Sequence, residues 1–515
     1  MFTSDTLHFR DPQSTTDSKT PNIHLSFPTF PTTGPMLLLF LLLLVPIFSI
    51  ADYTPDWSSL DKRSLPSWYD ESKFGIFCHW GLYSVPAIRS EWMWWYWKGD
   101  QPDANVVKFV EKNYKPGTTY ADFAKDFTAE YFDANRFAEI VKTSGAKYFV
   151  FTSKHHEGFT MWPSRTSWNW NAQDIGPKRD IVGELKNAFK QTNVHFGLYF
   201  SQFEWFNPLF LDDGKFNTTN YRDQVSYPQM FEIVNKYEPE IVWSDGEWDK
   251  TDDYWKSKEF LAWLYNSSPV KDRVVVNDRW GTGTMGSHGG FLTYADHYDP
   301  GKLLERKWEN CMTLDKMSWG NRRDMKASDV HTVFEIIEQL ARTIACNGNL
   351  LLNVGPDMHG LIPAIFEDRL AEIGRFVDLH SEAINESKPW IYQNDTNQPN
   401  TWYTSKLRKG TFNGRRISKK NQLFNQQTEK QTVIYAWILD TAHETFELKS
   451  VKTTENTTAK LLGTDAVFSG FGKSDSIIIP SSKIPWNKLP RRDVIVLKIE
   501  YAANQERNPL KSASY

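Results

Sequence analysis

Between residues 72 and 355 one pattern recurs: a short run of β-branched and aromatic residues, a polar cluster, and then an amphipathic helix. The runs are 74–78 (FGIFC), 147–151 (KYFVF), 194–200 (VHFGLYF), 240–243 (EIVW), 273–276 (RVVV) and 349–354 (NLLLNV). Continuous apolar runs of this length suit strands buried on both faces of a parallel sheet. Asp180 can cap a helix that puts Ile181, Val182, Leu185, Ala188 and Phe189 on one side, and Asp133 another with Phe137, Ile140 and Val141, ending before Gly145. Val330, Val333, Phe334, Ile337, Leu340, Ala341 and Ile344 keep helical spacing up to Gly348. Strand and helix therefore alternate, as in an α/β barrel or an open doubly wound sheet. Not all eight strands of a barrel can be located, least of all between Cys78 and Lys147.

The texture changes after Trp390. A polar linker leads into alternating segments at 432–439, 445–451 and 493–501, which predict an all-β domain over 391–515, a sandwich, behind a catalytic domain over 52–390. At the other end, 36–51 is a nearly uninterrupted apolar run ending in small residues, and polar Asp52, Tyr53 and Thr54 follow. It is too short for a membrane span, which needs about 20 apolar residues, and it reads as a signal peptide. The segment 1–51 is thus an extension plus signal peptide, Met36 is the expected start, and no stable membrane anchor is expected. Sequons at Asn217, Asn266, Asn385, Asn394 and Asn456 fit a secretory glycoprotein, lysosomal or secreted.

Charge narrows the function. Lys and Arg number 59 against 63 Asp and Glu, so the basic excess of a nucleic-acid binder is missing. Cys78, Cys311 and Cys346 show no zinc-ribbon or CxxC spacing and permit one bridge at most, and nothing in the sequence decides whether Cys311 and Cys346 pair. The GxGxxG match at Gly281, Gly283 and Gly286 precedes no helix, so it offers no pyrophosphate site, and no cofactor is expected. Adjacent His155 and His156 diverge in an extended segment, and the first strand ends in Cys-His-Trp without a paired HxH, so no metal is expected either.

The ends of the runs carry the chemistry. His79 follows the first, Lys154-His155-His156-Glu157 the second, Tyr199 closes the third, Asp245-Gly246-Glu247 follows the fourth, and Asp278-Arg279 the fifth. In a barrel these points share one face and converge on one cavity. Trp is 22 of 515 residues and is densest at 90–97 (SEWMWWYW). Aromatic rings stack on the C–H faces of sugars while His and Glu bond their hydroxyls, although Trp94, Trp95 and Trp97 fit a bulky core equally well.

The motifs FGIFCHWGLYSVPA (74–87), SEWMWWYW (90–97), KYFVFTSKHHEGF (147–159), WSDGEW (243–248), RKWENCMTLDKMSWG (306–320) and NGNLLLNVGP (347–356) resemble those of α-L-fucosidases of glycoside hydrolase family 29. The resemblance runs from about Trp57 to Trp390 and is weaker beyond. It implies a (β/α)8-like TIM barrel with a C-terminal β-sandwich, no metal, and retaining removal of terminal fucose from glycoproteins, glycolipids or oligosaccharides. It makes Asp245 the nucleophile, with Glu247 as local rival, and Glu309 the acid/base, with Glu305 as the neighbouring alternative. It places fucose recognition on His79, Glu91, Trp92, His155, His156, Tyr199, Trp243 and Arg279. A fucose-binding lectin on the same scaffold would lack one carboxylate, and both are present. Linkage preference and homo-oligomer formation leave no readable trace.

Overall fold

The computed structural model describes residues 52–407 and 432–506, so the signal peptide and start expected within 1–51 lie outside the described residues. Strands β1 (Phe74–Cys78), β2 (Tyr148–Lys154), β3 (His195–Ser201), β4 (Ile241–Asp245), β5 (Val275–Val276), β6 (Trp308–Thr313) and β7 (Gly348–Val354) form one sheet in the order β5-β4-β3-β2-β1-β7-β6. Every pairing in it is parallel. With β1 hydrogen-bonded to both β2 and β7, the sheet curls into a barrel whose one opening lies between β5 and β6.

Residues 291–293 fill that opening. Phe291 N donates to Val276 O at 3.1 Å, Leu292 N to Lys307 O at 3.0 Å, and Glu309 N to Leu292 O at 2.8 Å. Leu292 thus makes a single parallel bridge to Trp308 and supplies the eighth stave. Gly289 lets the chain turn into it, because φ is +110° there and a Cβ would lie 2.2 Å from Asn277 O. The strand sought between Cys78 and Lys147 does not exist: helices Met93–Lys98, Ala104–Asn113 and Ala134–Thr143 occupy the interval, and β1 pairs directly with β2.

Local chemistry starts the helices where the caps predict. Asp133 accepts from Asn135 N and Arg136 N, and Asp180 from Gly183 N. The helix expected from Val330 begins instead at Val333, because Thr332 and Glu335 form a capping box.

The antiparallel part begins with β8 (Lys388–Asn394), so the boundary expected at 390/391 falls inside a strand. With β9 (Thr401–Leu407), β10 (Thr432–Ile438), β11 (Thr445–Leu448), β12 (Thr458–Leu461), β13 (Val467–Phe468), β14 (Ile477–Pro480) and β15 (Ile495–Glu500) it makes a six-stranded sheet, β13-β12-β15-β10-β9-β8, and a two-stranded sheet, β11-β14. Alternation along β10 explains the layering. Ile434, Ala436 and Ile438 pack with Phe446, Leu448 and Ile479 of the small sheet, whereas Val433, Tyr435 and Trp437 join the barrel's outer core, Trp437 lying 6.1 Å from Phe376.

Candidate active site

A cavity of about 300 Å³ opens at the C-terminal ends of the barrel strands. His79 follows β1, His155 and His156 follow β2, Tyr199 lies two residues before the end of β3, Asp245 closes β4, and Arg279 follows β5. Glu91 and Trp92 reach it from the loop before helix Met93–Lys98. Phe77, Trp248, Asp296 and Trp319 complete the lining, four residues to which the sequence alone assigns no role. Trp94, Trp95 and Trp97 are packing residues, Trp94 stacking on Tyr120 at 4.4 Å and Trp97 buried.

Arg279 organises the charges. Its Nη1 donates to Asp245 Oδ1 at 3.0 Å, its Nη2 to Asp296 Oδ1 at 2.6 Å and its Nε to Thr293 Oγ1 at 3.1 Å. Tyr199 donates its hydroxyl to Asp245 Oδ2 at 2.7 Å. One guanidinium fork thus bridges two carboxylates, Asp245 on Nη1 and Asp296 on Nη2. Asp296 comes three residues after Thr293, just past the end of the eighth stave, and its side chain is 45 % exposed. Burial works to raise the Asp296 pKa, but the Arg279 charge and hydrogen bond outweigh it and hold the group below the usual range. Glu247 is buried and does not line the cavity; burial, then the Asp245 charge, push its pKa up.

Two of the histidines present ring nitrogens as acceptors. Asn353 uses its amide N–H on Trp319 O, so its Oδ1 accepts from His79 Nδ1–H at 2.8 Å and His79 Nε2 is left as an acceptor. Ser201 spends its proton on Phe203 O, so its Oγ accepts from His156 Nδ1–H at 2.7 Å. His156 Nε2 then stands 3.6 Å from Asp245 Oδ2, two acceptors that a donor between them, such as a sugar hydroxyl, would satisfy. Burial lowers both histidines, His79 to about 3. His155 lies between them, 3.5 Å from Glu157. Glu91 Oε2 accepts from Trp319 N and Gly320 N, each at 3.1 Å, and from Ser318 Oγ; burial raises its pKa. Lys154, although in the same motif, turns behind the wall onto Glu204.

Glu309 does not join this group. It sits at the second position of β6, paired with Asn349 at the start of β7, whereas Asp245 closes β4, so the two occupy opposite ends of the barrel. It is 0 % exposed and outside the cavity lining. An acid/base must touch both the departing oxygen and water, and Glu309 in this position reaches neither. Glu305 precedes β6 on the same remote side.

Of the sequon asparagines, Asn217, Asn394 and Asn456 are exposed, and Asn266 and Asn385 half-buried. Asn266 holds the Tyr53 backbone with both amide atoms, at 2.9 and 2.8 Å. All three cysteines are free and buried. Among the described residues no three His, Cys, Asp or Glu side chains are grouped to hold a metal ion.

A parallel barrel with paired carboxylates facing an aromatic, histidine-rich cavity of monosaccharide size defines a glycoside hydrolase. Comparison with known proteins makes the class specific. Residues 44–382 match the family model described as Alpha-L-fucosidase. A putative alpha-L-fucosidase of Caenorhabditis elegans is 78% identical over 463 residues, 90% of this chain and 96% of that one. The plasma alpha-L-fucosidase of Homo sapiens is 52% identical over 364 residues, 70% of this chain and 78% of that one. The crystal structure of Thermotoga maritima alpha-fucosidase in complex with fucose superposes with a TM-score of 0.68 at 28% identity, covering 87% of this chain and 100% of that one. The chain belongs to the alpha-L-fucosidase family.

Proposed function

We propose that this protein hydrolyses terminal α-L-fucosides of glycoproteins, glycolipids or oligosaccharides with net retention, using Asp245 as nucleophile and Asp296 as acid/base. The observation that carries the pairing is the single Arg279 guanidinium that bonds both carboxylates. In the first step Asp245 attacks the anomeric carbon, the glycosidic C–O bond breaks, and the departing oxygen takes a proton from Asp296. In the second, Asp296 accepts a proton from water, whose oxygen attacks the same carbon and releases Asp245.

Asp296 suits the role because it is the pocket carboxylate open to solvent, while Glu91 and Glu247 are both buried. Arg279 and Tyr199 keep Asp245 ionised and aimed, and the acceptors on His79, His156 and Glu91 match the ring hydroxyls, with Trp92, His155, Trp243 and Trp319 as walls. A lysosomal or secreted glycoprotein made with a signal peptide before Asp52 belongs to this reading. The plasma and tissue names of the mammalian relatives point the same way. Glycans at the exposed sequons and a catalytic segment from about residue 52, followed by a β segment that starts with β8, belong to this reading. The enzymatic names of the relatives and the two facing carboxylates favour it over a lectin.

The test is proton NMR of an aryl α-L-fucoside during early turnover. α-Fucose as first product supports the mechanism; β-fucose first refutes retention, and binding without turnover refutes the enzymatic reading.

A further inference from the structure

The interior of the barrel below the active site is largely apolar. Phe77, Val150, Ile241, Val275, Phe291 and Leu351 form a buried cluster there, and the fully enclosed Glu309 carboxyl stands within it. An ionisable group with no access to solvent costs stability that an apolar residue of the same volume would not. Its retention in a well-packed core calls for a role that packing does not supply.

Its hydrogen bonds point to that role. Oε2 accepts from the hydroxyls of Tyr69 at 2.6 Å and Tyr148 at 2.8 Å, and Oε1 accepts from the indole N–H of Trp243 at 2.9 Å. Trp243 lies on β4 two residues before Asp245 and reaches the cavity. Tyr199 stacks on the indole with centroids 5.7 Å apart, and the Arg279 guanidinium lies 4.7 Å over it. Tyr199 and Arg279 are the two side chains whose hydrogen bonds fix the Asp245 carboxylate.

We infer that Glu309 is a positioning residue: from the barrel interior it locks the Trp243 indole through the N–H bond, and the locked ring holds Tyr199 and Arg279 where they orient Asp245. The inference rests on the proposed fucosidase reading and adds to it a link from the interior of the barrel to the reaction centre.

The experiment compares Glu309→Gln, Glu309→Leu and Trp243→Phe with wild type on aryl α-L-fucosides of good and poor leaving groups, with and without azide, after circular dichroism has shown that each is folded. Glu309→Gln keeps a carbonyl acceptor for the indole and N–H groups toward the tyrosine hydroxyls, so it should keep kcat within about threefold of wild type. Glu309→Leu should lower kcat/KM by about 10- to 100-fold, to the same degree for both leaving groups and without azide rescue. Trp243→Phe removes the same bond from the other side, so combining it with Glu309→Leu should give a double variant no worse than the poorer single one. A Glu309→Gln variant as inactive as Glu309→Leu, losses concentrated on poor leaving groups, or azide rescue yielding α-fucosyl azide would overturn the inference in favour of acid/base chemistry. Should Glu309→Leu fail to fold, Glu309→Gln and Trp243→Phe still decide. A wild type inactive on every fucoside would instead refute the fucosidase reading itself, which separates the two failures.

Discussion

Asp278 is the sharpest place to test how the eighth stave builds the site. The residue is fully buried and accepts from Gly286 N at 2.7 Å, Thr293 N at 2.9 Å and Thr293 Oγ1 at 2.7 Å. Thr293 Oγ1 in turn receives Arg279 Nε, so Asp278 secures both the one-bridge stave and the guanidinium that spans Asp245 and Asp296. Asp278→Ala strands two main-chain donors and a hydroxyl in the interior. Hydrogen bonds to a charged group contribute about 1.5–3 kcal/mol each, and these share one carboxylate and do not add, so the expected loss is about 3–5 kcal/mol. Urea unfolding followed by far-UV circular dichroism reads it as a lowered midpoint at unchanged slope. The kcat/KM for an aryl α-L-fucoside should fall at least tenfold with it. A variant within about 0.5 kcal/mol of wild type, the range of ordinary surface changes, would refute the reasoning.

Asp296→Ala should lose kcat mainly on fucosides with poor leaving groups, and azide should restore turnover with α-fucosyl azide as product; Asp245→Gly with azide should give the β-azide, the two being told apart by NMR. Burial raises Glu309 from an ordinary 4.5 to about 7, so between those values the folded chain holds a proton, donated to one of the two tyrosine hydroxyls, that the unfolded chain has lost. Stability should therefore fall as pH rises through that window, by an amount on the order of 3 kcal/mol, and pH-dependent melts of Glu309→Gln should lack that part of the fall. Burial raises the Cys78, Cys311 and Cys346 thiols, so the folded protein should resist a thiol reagent and release three equivalents on denaturation. Peptide mapping after deglycosylation should find glycans at Asn217, Asn394 and Asn456, whose side chains face solvent.

The sequence disclosed the barrel wherever a strand is long and buried on both faces: 74–78 matches β1 residue for residue, and five further runs fall on β2, β3, β4, β5 and β7. It did not disclose residues 291–293, because a stave made by one bridge has no periodicity to read. That gap concealed Asp296, whose place is legible only once Thr293 is known to end a stave. The rule that strand ends deliver the chemistry would have found it in FLTYADHYD. Glu309 shows the opposite limit. Its motif is plain, but whether a residue stands at the start or the end of a strand depends on where pairing begins, and Glu309 is the second residue of β6. Four of the eight expected sugar contacts, His79, His155, His156 and Arg279, lie just past strand ends, Tyr199 and Trp243 lie two residues before them, and all eight line one cavity, because a parallel barrel gathers those ends on one face. Trp248 and Trp319 were hidden among the many other tryptophans, most of which are core.

The most direct test of the account is covalent trapping with a 2-deoxy-2-fluoro-fucosyl fluoride, followed by peptide mass spectrometry. The account predicts one fucosyl adduct per chain, on Asp245 within WSDGEW. An adduct on Glu247 or Asp296 would contradict the assignment of the nucleophile, and turnover with no adduct formed would contradict a covalent, retaining mechanism.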